Sequence, residues 1–294
     1  LAVASDGPPI TPLFPEGLDL PATSSFVPVM KAGGLVFVAG FMAACGEGDL
    51  GGIAPEAKVP QGHLWKGNRI QLEAEYVIRR KLQVALQGAG SSLERVVKAD
   101  VFLSDIQDAP GFNLVWSRAF GGKIPATTIT TTTRPGFAIE DARIEINLVA
   151  AEEGVTLERF EAGDAAGSVC DAYPLAVRAG DLLFFSGMLA ADAQGLVQPA
   201  RVDPQAPYFG ASVEGQMEHL LSLAEATCRH AGTGLENVLR IQQAHTDLAE
   251  FHPACRQWQR QLPGTPLPMS AIQVPGPLLV PGCSVQVDLV VYAP

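Results

Sequence analysis

The chain has 294 residues, of which 47 % are hydrophobic and 17 % charged, with a net charge of −11. That composition excludes a disordered chain, and the absence of any Lys/Arg run excludes a nucleic-acid groove, which needs clustered cations to displace counterions. No apolar stretch reaches the ~18 residues of a membrane span, and no basic, apolar leader stands at the start, so a cytoplasmic protein without membrane or nucleic-acid partners is expected.

Residues 1–25 carry Pro8, Pro9, Pro12, Pro15 and Pro21 and read as an extended lead-in. Phe26 to Met30 and Leu35–Ala39, joined through Gly33-Gly34, predict a hairpin. The Gly/Pro-rich stretch 45–67 predicts a long irregular loop. Asn68 can cap a helix running to about Gln87, with Ile70, Ala74, Val77, Ile78, Lys81, Leu82 and Ala85 on one stripe and Glu73, Glu75, Arg79 and Arg80 on the other side. Gly88 and Gly90 end it. A strand follows at Val96–Leu103, a helix near Gly111–Phe120 opened by Pro110, a β-branched strand Thr127–Thr133 and a last strand from Ile144. Residues 152–171 read as a linker. Thereafter strands are expected near Leu175–Val177, Leu182–Ser186, 238–246, 269–274 and 284–292, and helices near 212–230 and 251–262.

The second series repeats the first. Ala89-Gly90-Ser91-Ser92-Leu93-Glu94-Arg95-Val96 corresponds to Ala231-Gly232-Thr233-Gly234-Leu235-Glu236-Asn237-Val238, and the strand ending Ala39-Gly40 corresponds to the one ending Ser186-Gly187. Ile144-Glu145-Ile146 likewise answers Val285-Gln286-Val287. Two domains, 1–152 and 153–294, are expected, each long enough to bury its own core.

These features, with Leu103-Ser104-Asp105-Ile106 and the Pro125-Ala126 strand start, resemble the Rid (YjgF) superfamily, taken twice. The resemblance implies an α+β fold of two chorismate-mutase-like domains, each a mixed sheet packed against two helices. It further implies rings of three domains with ligand clefts between neighbours, and hydrolysis of small enamines or imines without a cofactor or metal. In that family an arginine after Pro-Ala grips the substrate carboxylate, a task suited to its fork of donors. That position falls on Thr127 and on Ser270, so neither copy is expected to be a standard 2-imino-acid deaminase.

The family's glutamate falls on Glu145 and on Gln286, its tyrosine on Tyr173 against Phe26, its serine on Ser186 against Ala39, and its asparagine on Asn113 against Cys255. Glu145 is therefore the expected water-activating residue and Asn113 the polarising one. Thr127, Tyr173, Ser186 and, from the far end of its strand, Arg134 are the expected substrate-binding residues. If unlike domains pair, one cleft could combine Glu145 and Asn113 with Tyr173 and Ser186. The expected function is a hydrolase or deaminase for a small enamine, imine or related unsaturated nitrogen compound. A lyase or isomerase for a small cyclic acid, or a binding module without catalysis, are the alternatives. Outside the resemblance, His252 and Cys255, three apart on a helix, offer a possible thiol–imidazole pair. Since whole rings of three need six domains, a homotrimer is expected, the alternative being a monomer whose two domains pair with each other.

Overall fold

The computed structural model describes residues 9–20, 25–46, 52–60, 62, 68–133, 136–161, 173–206 and 210–294. Its strands, in order, are β1 (Thr11–Leu13), β2 (Val29–Ala32), β3 (Leu35–Met42), β4 (Ala44–Cys45), β5 (Gly52–Ile53), β6 (Val96–Leu103), β7 (Ala126–Thr131) and β8 (Ile144–Ala151). They are followed by β9 (Leu157–Phe160), β10 (Ala176–Ala179), β11 (Leu182–Phe185), β12 (Ala191–Asp192), β13 (Gly195–Leu196), β14 (Val238–His245), β15 (Met269–Gln273) and β16 (Val285–Tyr292). The helices are α1 (Arg69–Tyr76), α2 (Gln83–Gly88), α3 (Ala109–Ala119), α4 (Ser212–His230) and α5 (Phe251–Gln261), with α1 and α2 joined through a π-helical turn, Val77–Leu82.

One six-stranded sheet runs β1-β2-β3-β8-β6-β7 and a second runs β15-β14-β16-β11-β10-β9. Read from opposite ends, the two orders match strand for strand. In each, one pair is parallel (β6–β7 and β14–β15) and the others are antiparallel. The chain is thus one mixed-sheet unit made twice, and each unit packs its helices on one face only.

Local chemistry explains the parts. Asn68 caps α1 by accepting from the Ile70 amide, and Pro110 opens α3, where its missing N–H costs nothing. Gly33 and Gly34, both at positive φ, make the two-residue turn between β2 and β3 that matches strand twist. Along β8, Ile144, Ile146, Leu148 and Ala150 are buried and alternate with half-exposed Glu145, Asn147 and Val149. The apolar set packs under Phe112, Trp116 and Leu82, where a fully buried aliphatic or aromatic side chain contributes about 1.5–3 kcal/mol. The same alternation in β16 packs Val285, Val287 and Leu289 with Trp258 and Met217.

Three expectations need correction. The lead-in contributes a strand, since Thr11–Leu13 pairs with β2, and the supposed linker contains β9, which pairs with β10. Glu73 does not decorate the solvent side of its helix. It is fully buried, accepts the Arg143 amide at 2.8 Å and pairs with Arg69 at 3.1 Å. Burial nevertheless pushes its carboxyl above the usual range.

Candidate functional site

The two units meet along β7. The Thr127 amide donates to Ser186 Oγ at 3.0 Å, and the Gly187 amide donates to the Thr127 carbonyl at 3.2 Å. Thr131 Oγ1 donates to the Pro275 carbonyl at 2.8 Å. An apolar cluster spans the same seam, with Leu35, Val97 and Ala126 from the first unit against Val177, Ala179 and Phe184 from the second.

Period-two geometry sends alternate β7 side chains to opposite sides. Toward α3, Thr127 Oγ1 donates to the Pro125 carbonyl at 2.8 Å and accepts from Trp116 Nε1 at 3.3 Å. Nearby, Tyr173 donates to Asn113 Oδ1, and Ser186 Oγ donates to the Pro174 carbonyl at 2.6 Å. Four expected site residues from both halves therefore converge at one seam: Asn113, Thr127, Tyr173 and Ser186. They satisfy one another there, with Thr127, Tyr173 and Ser186 only 2 %, 4 % and 6 % exposed.

Glu145 does not join them. It lies on the opposite, inner face of the first sheet, paired across to Phe102 and Met42 and packed over Gly40. Its seam counterpart is Gln286, which packs over Gly187 in the same manner and faces Thr130 Oγ1 at 3.5 Å. The expected combination of all four residues in one cleft is thus replaced by a closed seam carrying glutamine, while the glutamate stands elsewhere on the inner face of the first sheet, half-exposed beside Phe102. Among the described residues Glu145 has no hydrogen bond or ion pair, Arg143 being engaged with Asp108 at 2.7 Å. Half-buried beside Met42 and Phe102, its carboxyl is held above the ordinary glutamate range by desolvation. Arg134, the other expected substrate-binding residue, lies outside the described residues.

The second unit also differs from the residue-by-residue expectation. Ala99 pairs with Thr127, whereas its counterpart Ile241 pairs with Met269. The side chain replacing Thr127 is therefore Met269, not Ser270, and it touches Cys255 with its sulfur 3.8 Å from the thiol. Burial raises the Cys255 thiol pKa, which disfavours the thiolate a nucleophile requires. His245 is wholly buried, bonds Gln243 at 2.8 Å through Nε2, and burial lowers its pKa. Among the described residues no three His, Cys, Asp or Glu side chains stand close enough to hold a metal ion.

One group escapes sequence reasoning. Lys98, 2 % exposed, extends from the inner face of β6 across the seam to Asp288, with Thr128 Oγ1 at 2.6 Å and the Phe185 carbonyl at 2.7 Å. Asp100 stands 3.5 Å from the same ammonium. Burial raises the Asp100 carboxyl pKa, and the nearby Asp288 adds to the rise, while Lys98 and Arg240 oppose it. The available signal was a lysine inside the apolar run Val96-Val97-Lys98-Ala99.

Comparison with known proteins agrees with this architecture. The family model described as Endoribonuclease L-PSP matches residues 17–152. Protein mmf2, mitochondrial, of Schizosaccharomyces pombe is 32 % identical over 123 residues, which cover 42 % of this chain and 84 % of that protein. Protein HMF1 of Saccharomyces cerevisiae is 28 % identical over 143 residues, 49 % of this chain and 95 % of that protein. Among solved structures, YEO7_yeast is 26 % identical with a TM-score of 0.38, covering 49 % of this chain and 100 % of that one. Each relative is matched over most of its length by less than half of this chain, as a doubled domain requires. With its two sheets of matching strand order, the chain belongs to the Endoribonuclease L-PSP (YjgF, Rid) family as a tandem duplication of the family domain.

Proposed function

We propose that this chain hydrolyses a small enamine or imine, with Glu145 activating the water. The observation that carries the reading is Glu145 itself: a half-buried carboxyl with no hydrogen bond or ion pair among the described residues, raised in pKa by desolvation and lying over the backbone of Gly40. A base whose pKa moves toward the working pH is the more effective proton carrier. Water oxygen bonds to the imine carbon while Glu145 takes the water proton. Glu145 returns that proton to nitrogen to give a carbinolamine, then carries the hydroxyl proton to nitrogen as the C–N bond breaks, so that ammonia leaves and a carbonyl product remains. An enamine first takes a proton on its β-carbon and gives up one from nitrogen to water, which converts it to the imine.

In this reading Asn113, Thr127, Tyr173 and Ser186 hold the domains together instead of touching substrate, because their polar atoms already face one another. No arginine follows the strand start in either copy, so a substrate carboxylate finds no fork of donors there. An RNA-cleaving reading, which the family's description invites, lacks support from a chain of net charge −11.

The test follows ammonia release from enzymatically generated imines, one series bearing an α-carboxylate and one without. Turnover is expected on carboxylate-free members and little on 2-aminoacrylate. Release no faster than spontaneous decay across both series would remove the proposal.

A further inference from the structure

On the inner side of the seam the two sheets enclose a cavity of about 170 Å³. It is separated by the thickness of β7 from the Asn113, Thr127, Tyr173 and Ser186 cluster, since Thr128 and Thr130 line it while Thr127 points toward α3. Asp288 lines the cavity at 3 % exposure. Its Oδ2 is taken by Lys98 and Thr128, but its Oδ1 is buried and has no partner among the described residues. A buried carboxylate oxygen left without a donor is costly, so it marks a place for one. Arg240, on β14 and on the same face of the second sheet as Asp288, also lines the cavity, donating to Gln242 Oε1 and close enough to Asp100 to act on its charge.

The formal charges balance. Asp100 and Asp288 oppose Lys98 and Arg240, so a ligand carrying net charge would bring an uncompensated one into a partly desolvated space. We propose that this cavity binds a small net-neutral molecule, with an N–H donor for Asp288 Oδ1 at one end and a carbonyl or carboxylate acceptor for Arg240 at the other. A free amino acid and a primary amide share that chemistry. Glu145 does not line the cavity, although its cross-strand partner Phe102 does.

The full chain is titrated by calorimetry and by NMR with L-alanine and with propionamide. Propionate and propylammonium, each carrying one end only, serve as controls. Saturable binding of either two-ended probe, at least fivefold tighter than both controls, is expected, and the tighter of the two identifies the source. Arg240→Gln and Ile272→Trp, both at exposed positions on the cavity wall, should weaken that binding tenfold or more, whereas Glu145→Gln should leave it unchanged. Failure of both probes to bind, binding equal to the one-ended controls, indifference to both wall variants, or loss in Glu145→Gln would each overturn the proposal.

Discussion

The Glu145 carboxylate lies directly over Gly40: a methyl group built on Gly40 would overlap Glu145 Oε1, with the carboxyl carbon only 3.0 Å away. Gly187 and Gln286 repeat the relationship in the second unit, with Gln286 Nε2 2.8 Å from the equivalent position. Glycine at both places lets a long side chain lie against backbone, and in the first unit that side chain is the candidate base.

Gly40→Ala is therefore expected to displace the Glu145 carboxylate while sparing the fold, because the overlapping atom is the end of a flexible side chain. Turnover should fall while the melting temperature stays close to wild type. Loss of the fold, seen by circular dichroism, would mean that Gly40 is needed by the backbone instead.

Linkage gives a second test. A carboxyl whose pKa is raised by folding binds its proton more tightly in the native state than in the unfolded chain. Stability is then lost as pH rises from the ordinary glutamate value through the raised one, and the loss persists above both. Glu145→Gln removes that penalty. Its stability relative to wild type should grow in urea melts as pH rises above the ordinary glutamate range, and then level off. A gain that shrinks with pH would show that the carboxylate is stabilised by a partner.

The seam depends on Lys98 and Asp288. Removing one member of a buried pair leaves the other uncompensated, so Lys98→Ala should cost about 3–5 kcal/mol. Lys98→Met combined with Asp288→Leu should recover most of that loss, since it removes both buried charges together and leaves neither uncompensated. Additive losses in the double variant would show that the ion pair does not join the domains.

Assembly is the fourth test. Stacked rings of three chains would need the edge of the first domain and the face of the second for contacts between chains, yet the intrachain seam uses both. With the seam as it stands, light scattering should give one chain, 30.9 kDa. Three times that mass would require the seam to exchange between chains, and would restore the homotrimer expected from the count of domains.

Much of the fold was legible because the duplication doubles every signal. Asn68, Pro110 and the Gly33-Gly34 turn act locally, so their roles can be read without partners. What escaped was set by distant contacts. Thr11–Leu13 and Leu157–Phe160 are short edge strands carrying a proline or charged residues, and only pairing with β2 and β10 makes them strands. Placing Ser270 where Met269 stands was a slip of one residue, and in a strand that reverses the side. Lys98 and Asp288 lie 190 positions apart, a pairing that no local pattern announces. Asn113, Tyr173 and Ser186, named from the resemblance, lie at the seam, where their hydrogen bonds close it instead of opening a cleft.

The most direct test of the central claim is the turnover of Glu145→Gln on whichever carboxylate-free imine the wild-type chain hydrolyses, measured across pH with ligand binding checked separately. A proton-transfer residue contributes about 10²–10⁴-fold. The account predicts a loss of that size with binding intact, and a wild-type rate that rises with pH through an inflection above the ordinary glutamate range. A Glu145→Gln variant retaining the wild-type rate and pH profile would contradict it.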